Sequence, residues 1–193
     1  MLAFEMRIIA GVYKSRILKA PAGIKTRPTS DRLRETLFNV LAPRIQGARF
    51  LDLYAGTGAV GLEALSRGAA EVSFVEAAAS AAKFIRANIA ALGITFSLNI
   101  EITDVAAFLR KAAAAKRTFN LIFLDPPYDE MKEYESTLRA LSAVMAANAL
   151  VIAEHRKKDK LADEYGSLTR TRLLEQGDAT LSFYSSITKD DIS

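Results

Sequence analysis

Four residues, Asp125-Pro126-Pro127-Tyr128, follow directly on the apolar run Phe119-Asn120-Leu121-Ile122-Phe123-Leu124. Two consecutive prolines cannot sit inside a hydrogen-bonded ladder, so a strand over these apolar residues has to stop there. At its end it presents one carboxylate, one aromatic ring and stiff backbone carbonyls. Those groups suit a flat ring that bears an amino group. Asp125 and the Pro126 carbonyl can each accept an N–H bond, and the Tyr128 ring can stack on such a ring, worth on the order of 1–3 kcal/mol. Asp-Pro alone reads better as an ordinary strand exit with a solvated carboxylate and a packing tyrosine, so the motif gains its weight from a second one upstream.

That second motif is Asp52-Leu53-Tyr54-Ala55-Gly56-Thr57-Gly58-Ala59-Val60-Gly61. Its glycines let the backbone turn sharply and let a cofactor approach the main chain, while the helix that follows offers free amides at its start. Gly56, Gly58 and Gly61 also satisfy the dinucleotide fingerprint, and Glu76 stands at the distance of a ribose-binding acid, so a nicotinamide cofactor must be weighed. Two features count against it. Asp52 at the mouth of the loop would repel a pyrophosphate at the helix start, and the tetrapeptide has no role in hydride transfer. S-adenosyl-L-methionine carries no phosphate but has a cationic sulfonium and an α-ammonium, which a carboxylate favours. It is the expected cofactor.

The 193 residues suffice for one domain plus an extension. The absence of cysteine excludes disulfides, thiolate metal sites and cysteine nucleophiles, and the single histidine, His155, cannot build a histidine metal cluster. No metal is expected. No apolar run approaches the roughly 20 residues of a membrane span, and Met1 to Glu5 are too short and too acidic for a signal peptide, so a cytoplasmic protein with no membrane partner is expected. The formal charge of +4 is unevenly spread. Residues 1–50 hold ten Lys or Arg against three acids, a balance of +7, whereas the rest holds sixteen against nineteen, a balance of −3. A basic end of this kind is the footprint of a polyanion-binding surface, although a face of solvated lysines would look similar.

Stepwise alternation of short apolar runs with helical patterns places these motifs. Strands are expected over 49–53, 71–75, 99–103, 119–124 and 149–154, with helices over 58–67, 80–92, 105–115 and 131–145. Such alternation implies an α/β fold with a mainly parallel, doubly wound sheet. Two last runs, 167–174 and 180–187, flank Gln176-Gly177-Asp178 and read as a terminal antiparallel hairpin, giving seven strands in all. Before residue 49, Arg7-Ile8-Ile9-Ala10 and Arg16-Ile17-Leu18-Lys19 can pair as a small basic hairpin. A helix capped by Thr29, Ser30 or Asp31 follows, with Leu33, Leu37, Phe38, Val40 and Leu41 on one stripe and Arg32, Arg34 and Glu35 off it. The expected organisation is a basic amino-terminal arm over 1–48 and a cofactor-binding body over 49–193. His155 with Arg156, Lys157, Lys158 and Lys160 reads as a solvated basic edge on the rim where open α/β sheets place ligands.

The loop, the acid at the end of strand two, Thr103-Asp104 after strand three and Asp-Pro-Pro-Tyr after strand four together resemble a class I, Rossmann-like methyltransferase. The match is closer to the bacterial small-subunit ribosomal RNA guanine-N2 methyltransferases of the RsmD type. It rests on Arg7-Ile8-Ile9-Ala10-Gly11, Thr26-Arg27-Pro28-Thr29-Ser30-Asp31-Arg32, Arg34-Glu35, Leu37-Phe38-Asn39 and Gly61-Leu62-Glu63-Ala64-Leu65-Ser66-Arg67-Gly68-Ala69. The resemblance implies donor contacts at Asp52, Tyr54, Ala55, Gly56, Thr57, Gly58, Glu76, Ala77, Asp104, Val105 and Asp125, with Glu76 on the ribose and Asp104 and Val105 at the adenine. It implies RNA contacts at Arg7, Lys14, Arg16, Arg27, Thr29, Arg32 and Arg34, and chemistry at Asp125, Pro126, Pro127 and Tyr128. The implied partner is small-subunit ribosomal RNA or an assembling 30S particle; with no long heptad run, a monomer is expected. Three other readings stay open: an adenine-N6 methyltransferase, which shares the tetrapeptide; a protein-glutamine methyltransferase, which more often has Asn at position 125; and a noncatalytic RNA-binding protein.

Overall fold

The computed structural model describes residues 6–21, 30–95, 98–127 and 131–186. In chain order the elements are α1 (Asp31–Ile45), β1 (Arg49–Leu53), α2 (Ala59–Ser66), β2 (Glu71–Val75), α3 (Ala79–Leu92), β3 (Leu98–Glu101), α4 (Val105–Ala114), β4 (Phe119–Leu124), α5 (Met131–Ala140), β5 (Met145–Arg156), β6 (Glu164–Tyr165), β7 (Leu168–Gln176) and β8 (Ala179–Ser186). A short 3-10 turn, Leu141–Val144, joins α5 to β5. The strands form one sheet in the order β3-β2-β1-β4-β5-β8-β7-β6. Pairing is parallel from β3 to β5 and antiparallel from β5 to β6. The seven expected strands become eight because Glu164–Tyr165 pairs with the start of β7. Two residues are too few to show a period. β5 also starts earlier than the run 149–154 suggests, at Met145, and its pairing with β4 shifts register between Phe119 and Leu121.

Strand side chains alternate between two apolar cores. Phe50, Phe74, Leu121, Phe123 and Ile152 pack with α1, α2 and α3 on one face. Leu51, Leu53, Ile122, Leu124 and Val151 pack with α4 and α5 on the other. All eight residues of α2 are buried, and a helix enclosed on every side needs a cover on the side away from the sheet.

The residues before 49 supply that cover. Ser30 caps α1, its hydroxyl accepting from the Leu33 N–H at 3.1 Å, and the α1 stripe joins the first core together with Ile8 and Leu18. The expected hairpin is reduced to one bridge, Arg7 with Ile17, flanked by the Ile8 N–H on the Arg16 carbonyl at 2.9 Å and the Leu18 N–H on the Met6 carbonyl at 2.8 Å. The change of charge near residue 48 is therefore not a break in the core.

Side chains of α2 hold this cover in place. Glu63, fully buried, accepts from the Ile9 N–H at 2.7 Å, the Ala10 N–H at 3.0 Å and Arg67 Nε at 2.7 Å. Ser66 accepts from the Tyr13 N–H at 3.0 Å and its own carbonyl accepts from the Val12 N–H at 2.9 Å. Gly11 has φ of 84°, and a Cβ there would lie 1.8 Å from the Ser66 carbonyl oxygen, so glycine is required both for its conformation and for the close approach.

Candidate active site

The strand order reverses between β1 and β4, and ligands of open α/β sheets bind outside the carboxyl ends of the strands at such a point. Asp52 is the next-to-last residue of β1, Glu76 directly follows β2, and Asp125 directly follows β4. Register pairs Leu53 with Leu124 and Leu124 with Ala153, so Asp125 and Glu154 come one step further along neighbouring strands.

The loop after β1 is pinned across the strand ends. The Ala55 N–H donates to the Val75 carbonyl at 3.0 Å and the Gly58 N–H to the Ala55 carbonyl at 2.7 Å. Gly56 and Gly58 have φ of 55° and 78°, a region that glycine enters without steric cost. Glu76 reaches over the turn, one carboxyl oxygen accepting from the Gly56 N–H and the other from the Ala78 N–H, both at 2.8 Å. Gly61 lets α2 lie against β2, since a Cβ would stand 2.4 Å from the Phe74 ring. Its N–H donates to Asp52 at 2.8 Å. An amide at the start of α2 is thus already taken by the Asp52 carboxyl and is not free for a pyrophosphate.

Electrostatics at the site favour a cation. Burial, and to a smaller degree the nearby Glu76, push the Asp52 carboxyl up to about 8 despite the Gly61 hydrogen bond. Burial, then Glu154 and Asp52, raise the Asp125 carboxyl well above the ordinary carboxylate range. Acids crowd one another here, so the donor set fits the sulfonium and α-ammonium of S-adenosylmethionine. Glu154, almost completely buried, is the member that reading the sequence missed. The signal was present as an acid at the carboxyl end of a parallel strand.

The other expected donor residues divide by what their side chains do. Tyr54 has φ of 61°, and its hydroxyl turns to α5, donating to Glu133 at 2.6 Å and bonding Thr137 at 2.8 Å; what it offers the loop is backbone. Thr57 is gripped from behind: its carbonyl accepts from Asn88 Nδ2 at 3.1 Å, and Asn88 also bonds the Lys19 carbonyl at 3.1 Å and the Lys19 N–H at 2.7 Å. Asn88, another residue that the sequence did not single out, therefore ties α3 and the arm to the donor loop. Ala77 is exposed beside Glu76, Asp104 is exposed, and Val105 is buried. Asp104 caps α4 by accepting from the Ala107 N–H at 2.7 Å, and the Val105 side chain belongs to the second core, which leaves its backbone for a ligand. Pro126 is buried and Pro127 exposed, while Tyr128 lies outside the described residues.

Among the expected RNA contacts, Arg7, Lys14, Arg16 and Arg32 are exposed, and Arg27 and Thr29 lie outside the described residues. Arg34 is a correction. It is fully buried, donating to the Arg7 carbonyl and to Asp31 at 2.8 Å, and so is withdrawn from any phosphate. His155 is a second correction, being buried rather than solvated. Its Nδ1 faces the Arg156 carbonyl at 3.0 Å and its Nε2 the Ser182 hydroxyl at 2.9 Å. Among the described residues no group of three or more His, Asp or Glu is placed to hold a metal ion, and no helix is long and apolar enough to cross a membrane.

Comparison with known proteins agrees with this geometry. The family model described as "Conserved hypothetical protein 95" matches residues 6–185. The chain is 39% identical over 168 residues to the Bacillus subtilis protein named "Putative rRNA methyltransferase YlbH", covering 86% of this chain and 91% of that one. It is 36% identical over 157 residues to the "Ribosomal RNA small subunit methyltransferase D" of Haemophilus influenzae, covering 81% of each. Among solved structures, the "Putative methyltransferase yhhF" of Escherichia coli superposes with a TM-score of 0.82 at 31% identity, over 96% of this chain and 99% of that chain. A class I methyltransferase fold, an acidic donor loop and these likenesses along nearly the whole length place the chain in the Conserved hypothetical protein 95 family, alongside the ribosomal RNA small subunit methyltransferases D.

Proposed function

We propose that this S-adenosylmethionine-dependent methyltransferase acts on the exocyclic N2 amine of a guanine in small-subunit ribosomal RNA. The observation that carries the reading is the position of Asp125 and Pro126 at the carboxyl end of β4, beside the Asp52 loop. The names of its relatives support ribosomal RNA as the substrate class. Free RNA or an assembling 30S particle in the cytoplasm is the proposed substrate, and a monomer the acting form.

An exocyclic amine on guanine is a poor nucleophile because its lone pair is delocalised into the ring. S-adenosylmethionine, when bound, supplies the electrophilic methyl. Glu76 accepts from the ribose hydroxyls, and Asp52 faces the donor's positive charge. Asp125 and the Pro126 carbonyl accept the two amine N–H bonds, which turns the nitrogen lone pair out of the ring plane and toward the methyl. During transfer the nitrogen becomes cationic and its proton strongly acidic. The ionised Asp125 carboxylate stabilises that charge and takes the proton, and its raised pKa makes it the stronger base. A base stacked in a helix is out of reach, so the target is flipped or lies in a loop.

Tritiated methyl transfer to small-subunit ribosomal RNA, with the product nucleoside identified by mass, tests the reading. N2-methylguanosine is the expected product. N6-methyladenosine would replace the guanine assignment with the adenine one, and absence of transfer to RNA would end the proposal.

Donor affinity is expected to rise with pH up to about 8 and then level off. Free Asp52 titrates at about 8 and so holds its proton at neutral pH, whereas a bound cation favours the carboxylate and expels it. Calorimetry in two buffers of different ionisation enthalpy should register proton release at pH 7, and Asp52→Asn should reduce it. The same raised value means that the stabilising contribution of protonated Asp52 in the free protein is complete below about 4 and is lost as pH rises to about 8.

Neutralising Lys14, Arg16 and Arg27 together is expected to flatten the slope of log RNA affinity against log salt by about two to three units, at about 0.7–0.9 per phosphate contact. Filter binding across a salt series reads this directly. An unchanged slope and affinity would leave the arm a structural cover alone.

A further inference from the structure

We propose that a cavity at the shared end of β5 and β8 seats the nucleotide flanking the target base in the RNA substrate. The proposal rests on the ribosomal RNA reading above and adds a second grip on that RNA, separate from the arm.

The cavity, about 650 Å³, opens where residues 156–160 turn over the β7–β8 connection. The Lys157 N–H donates to the Asp178 carbonyl at 2.8 Å and the Asp159 N–H to the Arg156 carbonyl at 2.9 Å, which fixes the turn. Small-molecule sites are commonly about 300–1,000 Å³, so a nucleotide fits. Among the described residues, four cations, Arg156, Lys157, Lys158 and Lys160, line the cavity with one acid, Asp178. Arg156 is paired with Asp159 at 2.8 Å and Lys157 with Glu175 at 2.7 Å, whereas Lys158 and Lys160 form no ion pair among the described residues. Both are exposed, and two strongly hydrated cations beside a cavity present what a phosphate needs.

The wall beneath carries no charge. His155 and Ala179 contribute to it, and burial holds the His155 pKa down, so the imidazole is neutral. Its Nδ1 faces a carbonyl and therefore bears the proton, leaving Nε2 to accept from the Ser182 hydroxyl. An uncharged wall with a cationic mouth matches a nucleotide, whose base is apolar on its faces and whose phosphate is anionic.

Position selects the flanking nucleotide. Leu124 pairs with Ala153, so Arg156 lies one strand across from Asp125 and two residues further out. With a strand spacing of about 4.8 Å and a rise of about 3.3 Å per residue, the backbones are on the order of 8 Å apart. A base at Asp125 and a neighbouring nucleotide in the cavity can therefore belong to one continuous strand. The arm stands on the other side of the donor loop, against α2 and α3, so the RNA would be held from both sides.

Lys158→Ala combined with Lys160→Ala in the full chain tests the site, with small-subunit ribosomal RNA as the probe. KM for the RNA is expected to rise about tenfold and the salt slope to fall by about 1.4–1.8, two phosphate contacts' worth. Values of kcat and of S-adenosylmethionine affinity should stay within twofold, and Lys158→Arg with Lys160→Arg should restore KM. RNA carrying 4-thiouridine, irradiated on the wild-type protein and digested, should cross-link residues 155–160. Unchanged KM and salt slope in the double alanine variant, or cross-links confined to the arm, would overturn the proposal. Wild-type methyl transfer in the same assay separates failure of this site from failure of the RNA reading.

Discussion

Replacing Asp125 with alanine is expected to lower turnover by about 10²–10⁴, the usual range for loss of a positioned acid or base, while donor affinity changes less. Asparagine keeps one acceptor oxygen and should be milder, because orientation of the amine survives and proton uptake does not. A second consequence follows from the neighbour on β5. Since Glu154 is a like charge that helps to raise Asp125, Glu154→Gln should lower the apparent pKa of the acid limb of the kcat/KM profile. The sign is fixed: ionised Asp125 is the active form, so activity falls as pH drops through its raised pKa, and removing Glu154 moves that fall to lower pH. A single-turnover pH series on wild type and Glu154→Gln measures both. Full activity of Asp125→Ala, or an acid limb that moves upward in Glu154→Gln, would refute the assigned proton path.

The elements to which the chemistry is assigned were legible because each announces itself over a few adjacent residues. β1, β2 and β4 begin and end where the apolar runs do, and Asp52, Glu76 and Asp125 stand at their carboxyl ends as the motifs imply. What was not legible depends on partners distant in the chain. Glu154 becomes part of the site only through β4–β5 register, and Asn88 only because Lys19 and Thr57 both come to it. β6 exists because a neighbour pairs with it, not because two residues carry a pattern. Arg34 is a different case, since the information was local. Positions 34, 37, 38, 41 and 45 follow helical spacing and are all buried on α1; the charge of Arg34 argued for the surface, while its place on the stripe argued for the core. Burial prevailed because the Arg7 carbonyl, Asp31 and the nearby Glu63 receive the guanidinium.

Replacing Glu63 with alanine is expected to cost about 3–5 kcal/mol of stability, the range for removing one member of a buried charge group. The carboxylate is fully buried and serves the Ile9 and Ala10 amides and Arg67 at once. It is also the main favourable charge acting on Arg34, whose pKa burial lowers and whose Nε and Nη1 have no hydrogen-bond partner among the described residues. Alanine would strand two amides and a buried cation together. For a chain of this size the thermal midpoint should fall by roughly 6–20 °C, and Glu63→Gln, which keeps one acceptor but no charge, should fall between. Hydrogen exchange should show the first loss of protection at Ile9, Ala10 and Val12, because the cover is attached to α2 through this carboxylate and Ser66. Donor affinity should weaken too, since the cover reaches the loop through Lys19, Asn88 and Thr57. A variant that melts within 1 kcal/mol of wild type would mean that apolar packing of Ile8, Leu18 and α1 holds the cover alone, and that Glu63 is tolerated in the core rather than required there.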